Sequence, residues 1–454
     1  MQKTYSIIEK YMKKLAIPFF FLIISISLNA QSQKWTLQAC VNHALENNIS
    51  VKQNELDVDR SDIERLDAIG NFLPSINANA SASKNTGLSL NPTTNQLENT
   101  TLGSASGAIN VGLTLFDGLR NVRELQRSKL SKLAAQYRLD KMKDDIALAV
   151  ANSYLQVLLN KANLKVAKSQ NIVTQEQYTR TNELVDAGVL PRGDLLEIKA
   201  TDAAEKQRLA VAENTVKISL ISLAQLLLIK DYENFDIADE EFNIIDGGIT
   251  NLEVSKIIES AKQTRSEVKI AESNVLLAEK DLQISRSGYY PTLSAFFGYN
   301  TRYADNDPLQ RDFVEQLYLN DGIGYGLQLN VPIFNGFAVR NNVKRSKINV
   351  QNSQFQLEQA KLDLESNVYQ AYVDAQGALK AYEAATVALE SQELAYQYAK
   401  ERFDVGITNA FDFSQSKLRY DNAKIEENRA KFEYIFKLKV LELYFGVPAT
   451  ELKF

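Results

Sequence analysis

The feature that most restricts this sequence is that it is written twice. Set against itself, the chain matches at an offset of 218 residues: Phe116-Asp117-Gly118 falls on Phe334-Asn335-Gly336, Tyr154 on Tyr372, Gly188 on Gly406, Asp194 on Asp412 and Lys199 on Lys417. Upstream, Ala44 falls on Ala261, Val51 on Val268 and Pro74 on Pro291 at an offset of 217. One residue is therefore gained between the proline and the Phe-x-Gly motif, where loop length is least constrained. One supersecondary plan is used two times.

Each copy reads as a helix, two alternating segments, a very long helix, a glycine turn and another helix. In the first copy these fall at 36–70, 75–116, 119–187 and 194–229, and in the second at 253–287, 292–334, 338–405 and 412–444. The domain plan is then a first repeat over 31–229, a link over 230–252, a second repeat over 253–446 and a tail over 447–454. Residues 1–30 read as a secretory signal peptide: Lys10, Lys13 and Lys14 precede an apolar run over 15–28 that is short for a membrane span, followed by Asn29, Ala30 and Gln31. Cleavage is expected after Ala30, and Met12 is a second candidate start. Leu37-Gln38-Ala39-Cys40 imitates a lipoprotein signal, but Lys34 and Trp35 separate it from the apolar run, which argues against acylation.

The alternating segments have a period of two. Ile76, Ala78, Ala80 and Ala82 alternate with Asn77, Asn79, Ser81 and Ser83, while Ile109, Val111, Leu113 and Leu115 alternate with Asn110, Gly112 and Thr114. The second copy repeats this with Leu293, Ala295, Phe297 and Tyr299, and with Ile323, Tyr325, Leu327, Leu329 and Val331. One face is apolar and the other small and polar, as in transmembrane barrel strands of about ten residues; soluble hairpins with one buried face fit equally well. The stretches 84–104 and 303–322 read as polar loops. Phe72, Phe116, Tyr289, Tyr290, Phe334 and Phe337 bracket the strands as an interfacial girdle would. Four strands cannot close a barrel in lipid, because an open edge leaves backbone groups unsatisfied at several kcal/mol each. Two chains would supply about eight strands with a filled interior, three about twelve with room for a lumen.

The segment 119–187 is 69 residues without proline, ~100 Å if helical throughout. Its second copy carries Val343, Val350, Leu357, Leu364, Ala371, Ala378 and Ala385 at seven-residue spacing, and a second stripe of Val368, Ala375, Tyr382, Leu389, Tyr396 and Phe403. Such spacing means coiled-coil packing, and two stripes mean neighbours on more than one side. A ring of helices and a solid antiparallel bundle both satisfy it.

At the far end, Gly188 and Gly406 are helix-stopping residues, and Asp194 with Glu197 and Asp412 with Gln415 have capping-box spacing at a new helix start. Gathered by oligomerisation, the same aspartates would instead ring a narrow opening and favour cations.

Composition removes other classes. A net charge of -5 without a basic block gives no footprint for nucleic acid, and a lone cysteine and lone histidine, Cys40 and His43, exclude an intrachain disulfide and a Cys/His metal cluster. Asp194/Glu197 is the nearest approach to a catalytic carboxylate pair, but solvated helices carry many such pairs, so neither catalysis nor a cofactor is expected.

In order and in duplicate, Trp35-Thr36-Leu37, Ala44-Leu45-Glu46-Asn47-Asn48, Pro74, the paired Phe-x-Gly motifs and the Gly188 and Gly406 turns followed by Asp194 and Asp412 resemble the outer-membrane efflux family of the TolC type over nearly the whole exported chain. The resemblance implies an α+β membrane protein: a homotrimer with a twelve-stranded outer-membrane β-barrel, four strands per protomer, continued by a long periplasmic α-helical coiled-coil barrel. It implies a passive exit duct coupled to an inner-membrane efflux pump or secretion transporter through a periplasmic adaptor. By position, Gly188, Val189, Leu190, Gly406, Ile407 and Thr408 would meet the adaptor, and Asp412, with Asp194 as its repeat partner, would form the pore constriction. Gln415 and Thr408 depart from the family pattern, where a second carboxylate and a gate arginine are expected. The rival reading is an exported coiled-coil structural protein or adhesin without a pore, which leaves the alternating strands unexplained.

Overall fold

The computed structural model describes residues 34–90, 94–239, 252–307 and 309–448. The expected signal peptide, Glu240, Glu241, Gly247, Gly248 and most of the tail lie outside them. The elements are α1 (Leu37–Asn47), α2 (Ile49–Gly70), β1 (Ser75–Leu90), β2 (Leu97–Phe116), α3 (Arg120–Asp186), α4 (Arg192–Leu226), α5 (Val254–Thr264), α6 (Ser266–Ser287), β3 (Thr292–Ala304), α7 (Phe313–Leu319), β4 (Gly322–Asn330), α8 (Ala338–Asp404) and α9 (Ala410–Phe445). The repeat is reproduced to the residue. Helices α1 and α2 and the first residue of β1 recur 217 positions later in α5, α6 and β3, and α3 and the start of α4 recur 218 positions later in α8 and α9.

Two expectations are corrected. The opening helix of each copy is broken into α1/α2 and α5/α6, because Asn48 and Arg265 adopt extended backbone with ψ of 133°. The Asn48 side chain accepts the Ser50 amide at 2.9 Å, a local bond that restarts the helix. The stretches 84–104 and 303–322 are not simply loops: β1 and β2 run deep into the first, and α7 occupies the second. The first extension carries little periodic signal because Lys84, Thr86, Asn99 and Thr101 share a face with Leu88, Leu90 and Leu97, and it is held by hydroxyl pairs such as Ser83–Ser104 at 3.1 Å and Thr86–Thr101 at 3.0 Å.

The chain forms two compact units, each drawn from both repeats. Of the described residues, one contains those within 34–52, 143–257 and 368–448, and the other those within 53–142 and 258–367. In the first, α1 buries Leu37, Cys40, Val41 and Ala44 against Val150, Tyr154 and Val157 of α3 and Leu223 of α4. Trp35 forms a parallel bridge with Ile237, Thr36 caps α1 by accepting the Ala39 amide, and the Tyr154 hydroxyl reaches the carbonyls of Trp35 at 3.2 Å and Ala238 at 3.1 Å. The Trp-Thr-Leu opening is thus a strand bridge, a cap and a core residue in succession. Cys40 is fully buried in that core.

The second unit holds a row of helices and the sheet. Lys132 of α3 bonds Asp62 of α2 at 2.6 Å, Arg127 of α3 bonds Asp281 of α6 at 2.5 Å, and Ser285 of α6 bonds Ser346 of α8 at 2.8 Å. The order is therefore α2-α3-α6-α8, with α2 and α8 at the ends. The sheet is antiparallel in the order β1-β2-β3-β4, with β1 and β4 as open edges. Its register aligns Ile76, Val111, Phe297 and Tyr325 across the four strands, and Ala78, Ile109, Tyr299 and Ile323 beside them. The opposite face aligns Asn77, Asn110, Gly298 and Gly324. On the apolar face Ile76, Ile109, Phe297, Tyr325 and Leu327 are exposed.

Each strand pair is followed by the same turn. Gly118 and Leu119 have φ of 71° and 68°, and Gly336 and Phe337 have 58° and 65°. A side chain at Gly118 would stand 2.8 Å from both the Ser287 carbonyl oxygen and Tyr290 Cβ, so only glycine fits. The left-handed leucine and phenylalanine cost about 1–2 kcal/mol each, which the turn tolerates to launch the long helices.

Between β3 and β4, Arg311 donates from Nε and Nη2 to the two Asp307 carboxylate oxygens at 2.6 and 2.7 Å, which holds that carboxyl at about 2, below its ordinary 3.8. A depressed carboxylate contributes stability above its unfolded value and loses it as pH falls through the folded one. Amide exchange in this connection, corrected for intrinsic rates, is therefore expected to be unchanged from about pH 7 to about pH 5 and to accelerate as pH approaches about 2.

Candidate functional site at the helical hairpin tips

Each long helix stops in the same hydrogen-bonded turn. The amides of Gly188 and Val189 donate to the carbonyls of Val185 at 3.0 Å and Leu184 at 2.8 Å, and those of Gly406 and Ile407 donate to Phe403 at 3.0 Å and Arg402 at 2.8 Å. This is the Schellman arrangement, and it requires the positive φ of 73° at Gly188 and 79° at Gly406. The turns expose apolar side chains: Val189, Val405, Ile407, Leu196 and Phe411 all face solvent. Leu190 and Thr408 are half-buried.

The capping reading of the two aspartates is corrected. Helix α9 starts at Ala410, and its N-cap is Asn409, whose side-chain oxygen accepts the Asp412 amide at 2.8 Å. Asp412 sits three residues into the turn, where a carboxylate complements the helix dipole, and accepts a bond from the Thr408 hydroxyl at 3.3 Å. In the first copy Pro191 occupies the cap position without a side-chain bond, and the Asp194 amide donates to the Pro191 carbonyl at 3.1 Å. Neither aspartate caps through its own side chain. That leaves both carboxylates oriented from the first turn of their helices, Asp412 exposed and Asp194 half-buried.

Two features at this end were not read from the sequence. Arg180 of α3 reaches the end of α8, donating to the Asp404 carboxylate at 2.7 Å and its carbonyl at 3.3 Å. Deeper in the same unit, Lys417 of α9 is buried and donates to Glu205 of α4 at 2.6 Å and to Asp421 at 3.2 Å. Burial pushes the Asp421 carboxyl above its ordinary value, with Lys417 opposing the shift. The second Glu205 oxygen has no hydrogen-bond partner among the described residues. Beside the cluster, α3 buries Gln170, Thr174, Gln177 and Thr181, so this part of the helical unit has a polar interior.

A model of the outer membrane efflux protein family matches residues 40–227 and 257–446, one stretch in each copy of the repeat. The chain belongs to the outer membrane efflux protein family. Among its relatives, Outer membrane protein TolC of Vibrio cholerae is 25% identical over 301 residues, covering 66% of each chain. Protein CyaE of Bordetella pertussis is 23% identical over 302 residues, covering 66% of this chain and 62% of the relative. The match thus spans less than two thirds of either relative's length. The fold is similar to that of the Campylobacter jejuni CmeC outer membrane channel, with a TM-score of 0.77 at 17% identity, covering 90% of this chain and 85% of that one. That likeness extends over both the strands and the long helices, including the internal repeat.

Proposed function

We propose that the protein is the outer-membrane exit duct of a tripartite efflux or type I secretion system, working as a homotrimer. The observation that carries this reading is a pair of open layers with matching needs. The four-stranded sheet has an apolar face with exposed side chains, a small polar face and two edges, β1 and β4, without a strand partner among the described residues. The helix row has two ends, and each carries an exposed apolar stripe at seven-residue spacing: Leu56 and Ile63 on α2, and Ile348, Phe355 and Leu362 on α8. One head-to-tail contact, repeated around a closed ring, pairs β4 with β1 and α8 with α2 at once. Three chains then give about twelve strands, enough for a water-filled lumen.

The first unit repeats the logic with Val211 and Ile218 on α4 and Val387 and Leu394 on α8, all exposed at the same spacing. These stripes want helical neighbours, whereas a lumen wall wants polar groups. Among the described residues no helix is long and apolar enough to cross a membrane, so the sheet is the element assigned to lipid. An adhesin without a pore would have no use for its apolar band.

The duct is passive and performs no reaction; energy comes from the inner-membrane partner. Val189, Leu190, Ile407 and Thr408, with Gly188 and Gly406 setting their turns, are the surface offered to the periplasmic adaptor. Asp412, with Asp194, supplies the carboxylates of the constriction. Because Asn409 caps α9, the two roles separate: Asp412→Ala is expected to weaken cation preference and block by polyvalent cations, while Asn409→Ala lowers stability by about 1 kcal/mol and leaves selectivity intact. Reversal potentials across a bilayer under a salt gradient distinguish them, and unchanged selectivity in Asp412→Ala would remove that residue from the constriction.

A further inference from the structure

Helix α7 sits on one particular face of the sheet. Thr301 donates from its hydroxyl to the Leu317 carbonyl at 2.6 Å, and the Tyr303 ring meets the Phe313 ring edge-on at 5.0 Å between centroids. Both residues continue the odd-numbered series Ala295, Phe297 and Tyr299, so α7 lies on the apolar side of β3. It is held firmly there. Gln316 is 1% exposed, donates to the Ala304 and Arg311 carbonyls at 3.0 Å each and accepts the Ala304 amide at 3.0 Å. Asp312 caps the helix by accepting the Glu315 amide at 2.7 Å. The face turned away from this anchor carries Val314, Tyr318 and Leu319, with Tyr318 78% exposed, and Leu309 is exposed beside it.

We propose that α7 is an interfacial anchor whose outward face rests in the headgroup region of the outer leaflet; this builds on the reading of the sheet as a lipid-facing barrel wall. Position along β3 is the first argument. Ten residues separate Leu293 from Tyr303, and at ~3.4 Å per residue and a tilt of ~40° that is a rise of ~26 Å, against an apolar band of ~25 Å in such barrels. The end of the strands at Leu293 already has its aromatic girdle in the exposed Phe72, Tyr289, Tyr290 and Phe334. Helix α7 occupies the other end, where a second girdle is needed and where Tyr at the surface of an apolar patch is the favoured chemistry. Continuity is the second argument, because the exposed face of α7 extends the same uncovered face as Phe297 and Tyr299. A second copy of the chain is the less fitting occupant, since neighbours in a ring meet at the β1 and β4 edges and leave the outer face of β3 to lipid.

Tryptophan quenching by brominated phosphatidylcholine tests this in the full-length protein reconstituted into vesicles, with the unsubstituted protein's own emission subtracted. Tyr318→Trp is expected to lose emission strongly to bromine placed near the glycerol end of the acyl chain and little to bromine at mid-chain; Val314→Trp should behave alike. Tyr325→Trp, in the band of β4, is expected to show the opposite preference. Quenching of Tyr325→Trp without any quenching at positions 314 and 318 would overturn the anchor and keep the barrel wall. Absence of quenching at all three would overturn both.

Discussion

Phe355→Asp combined with Leu362→Asp is expected to abolish the proposed trimer while leaving a folded monomer. Phe355 is 72% exposed and Leu362 57% exposed in the single chain, so neither supports the fold of that chain. Buried against a neighbouring helix, each would contribute about 1.5–3 kcal/mol, and a carboxylate in its place adds the cost of desolvating a charge. The loss recurs at every interface of a ring, so the assembly and not the subunit bears it. Light scattering coupled to gel filtration in detergent reads the outcome directly, with far-ultraviolet dichroism reporting that the long helices persist. A variant that remained trimeric would move the interface away from α8. Single alanine substitutions should weaken the trimer without dispersing it.

The second large effect is expected inside one chain. Lys417 faces two carboxylates in a site where its own side chain is 5% exposed and those of Glu205 and Asp421 are 7% and 8% exposed. Lys417→Met leaves two buried carboxylates without a cation, a loss of about 3–5 kcal/mol at neutral pH. The sign of the pH dependence follows from Asp421, whose folded carboxyl is already raised by burial. A group with a raised folded value loses its contribution as pH rises through that value, so the Lys417→Met deficit should be largest near neutrality and shrink at acid pH as Asp421 takes up a proton. Thermal melting of the variant and the parent across that range measures it. In the Lys417 background, Asp421→Asn removes the extra carboxylate and should be neutral or stabilising. A deficit independent of pH would mean that Lys417 acts through packing of its stem alone.

The parts of this fold that were readable from sequence are those that periodicity and glycine chemistry report. The repeat register appears again as element boundaries, and the spacing from Val343 to Ala385 marks a helix face that buries Val343, Leu364, Ala371 and Ala385. Gly188 and Gly406 announced turns that only a left-handed residue closes. Periodicity does not, however, say which face has a partner within the same chain. Ile348, Phe355 and Leu362 have the same spacing as the buried stripe, yet they lie exposed, and nothing in their identities distinguishes the two cases. Repeat symmetry does not extend to the surroundings of Lys199 and Lys417: the two are equivalent in sequence, but Lys199 is exposed and Lys417 is buried, and Glu205 and Asp421 correspond to alanines in the other copy. The spacing of the tip aspartates to Glu197 and Gln415 fits a capping box as well as a ring, but Pro191 and Asn409 begin the helices three residues earlier and take the cap position themselves. The strand extensions and α7 escaped because hydroxyl-paired strands and a helix of 7 residues leave little periodic signal.

The central claim is that several copies of this chain together enclose a continuous aqueous path. Conductance of the purified full-length protein in a planar lipid bilayer tests it most directly. Stepwise, cation-preferring current increments are expected from the trimer, and none from the Phe355→Asp/Leu362→Asp monomer at the same protein concentration. A bilayer that stays electrically silent with correctly inserted trimer, under conditions that release the constriction at the tips, would contradict the account.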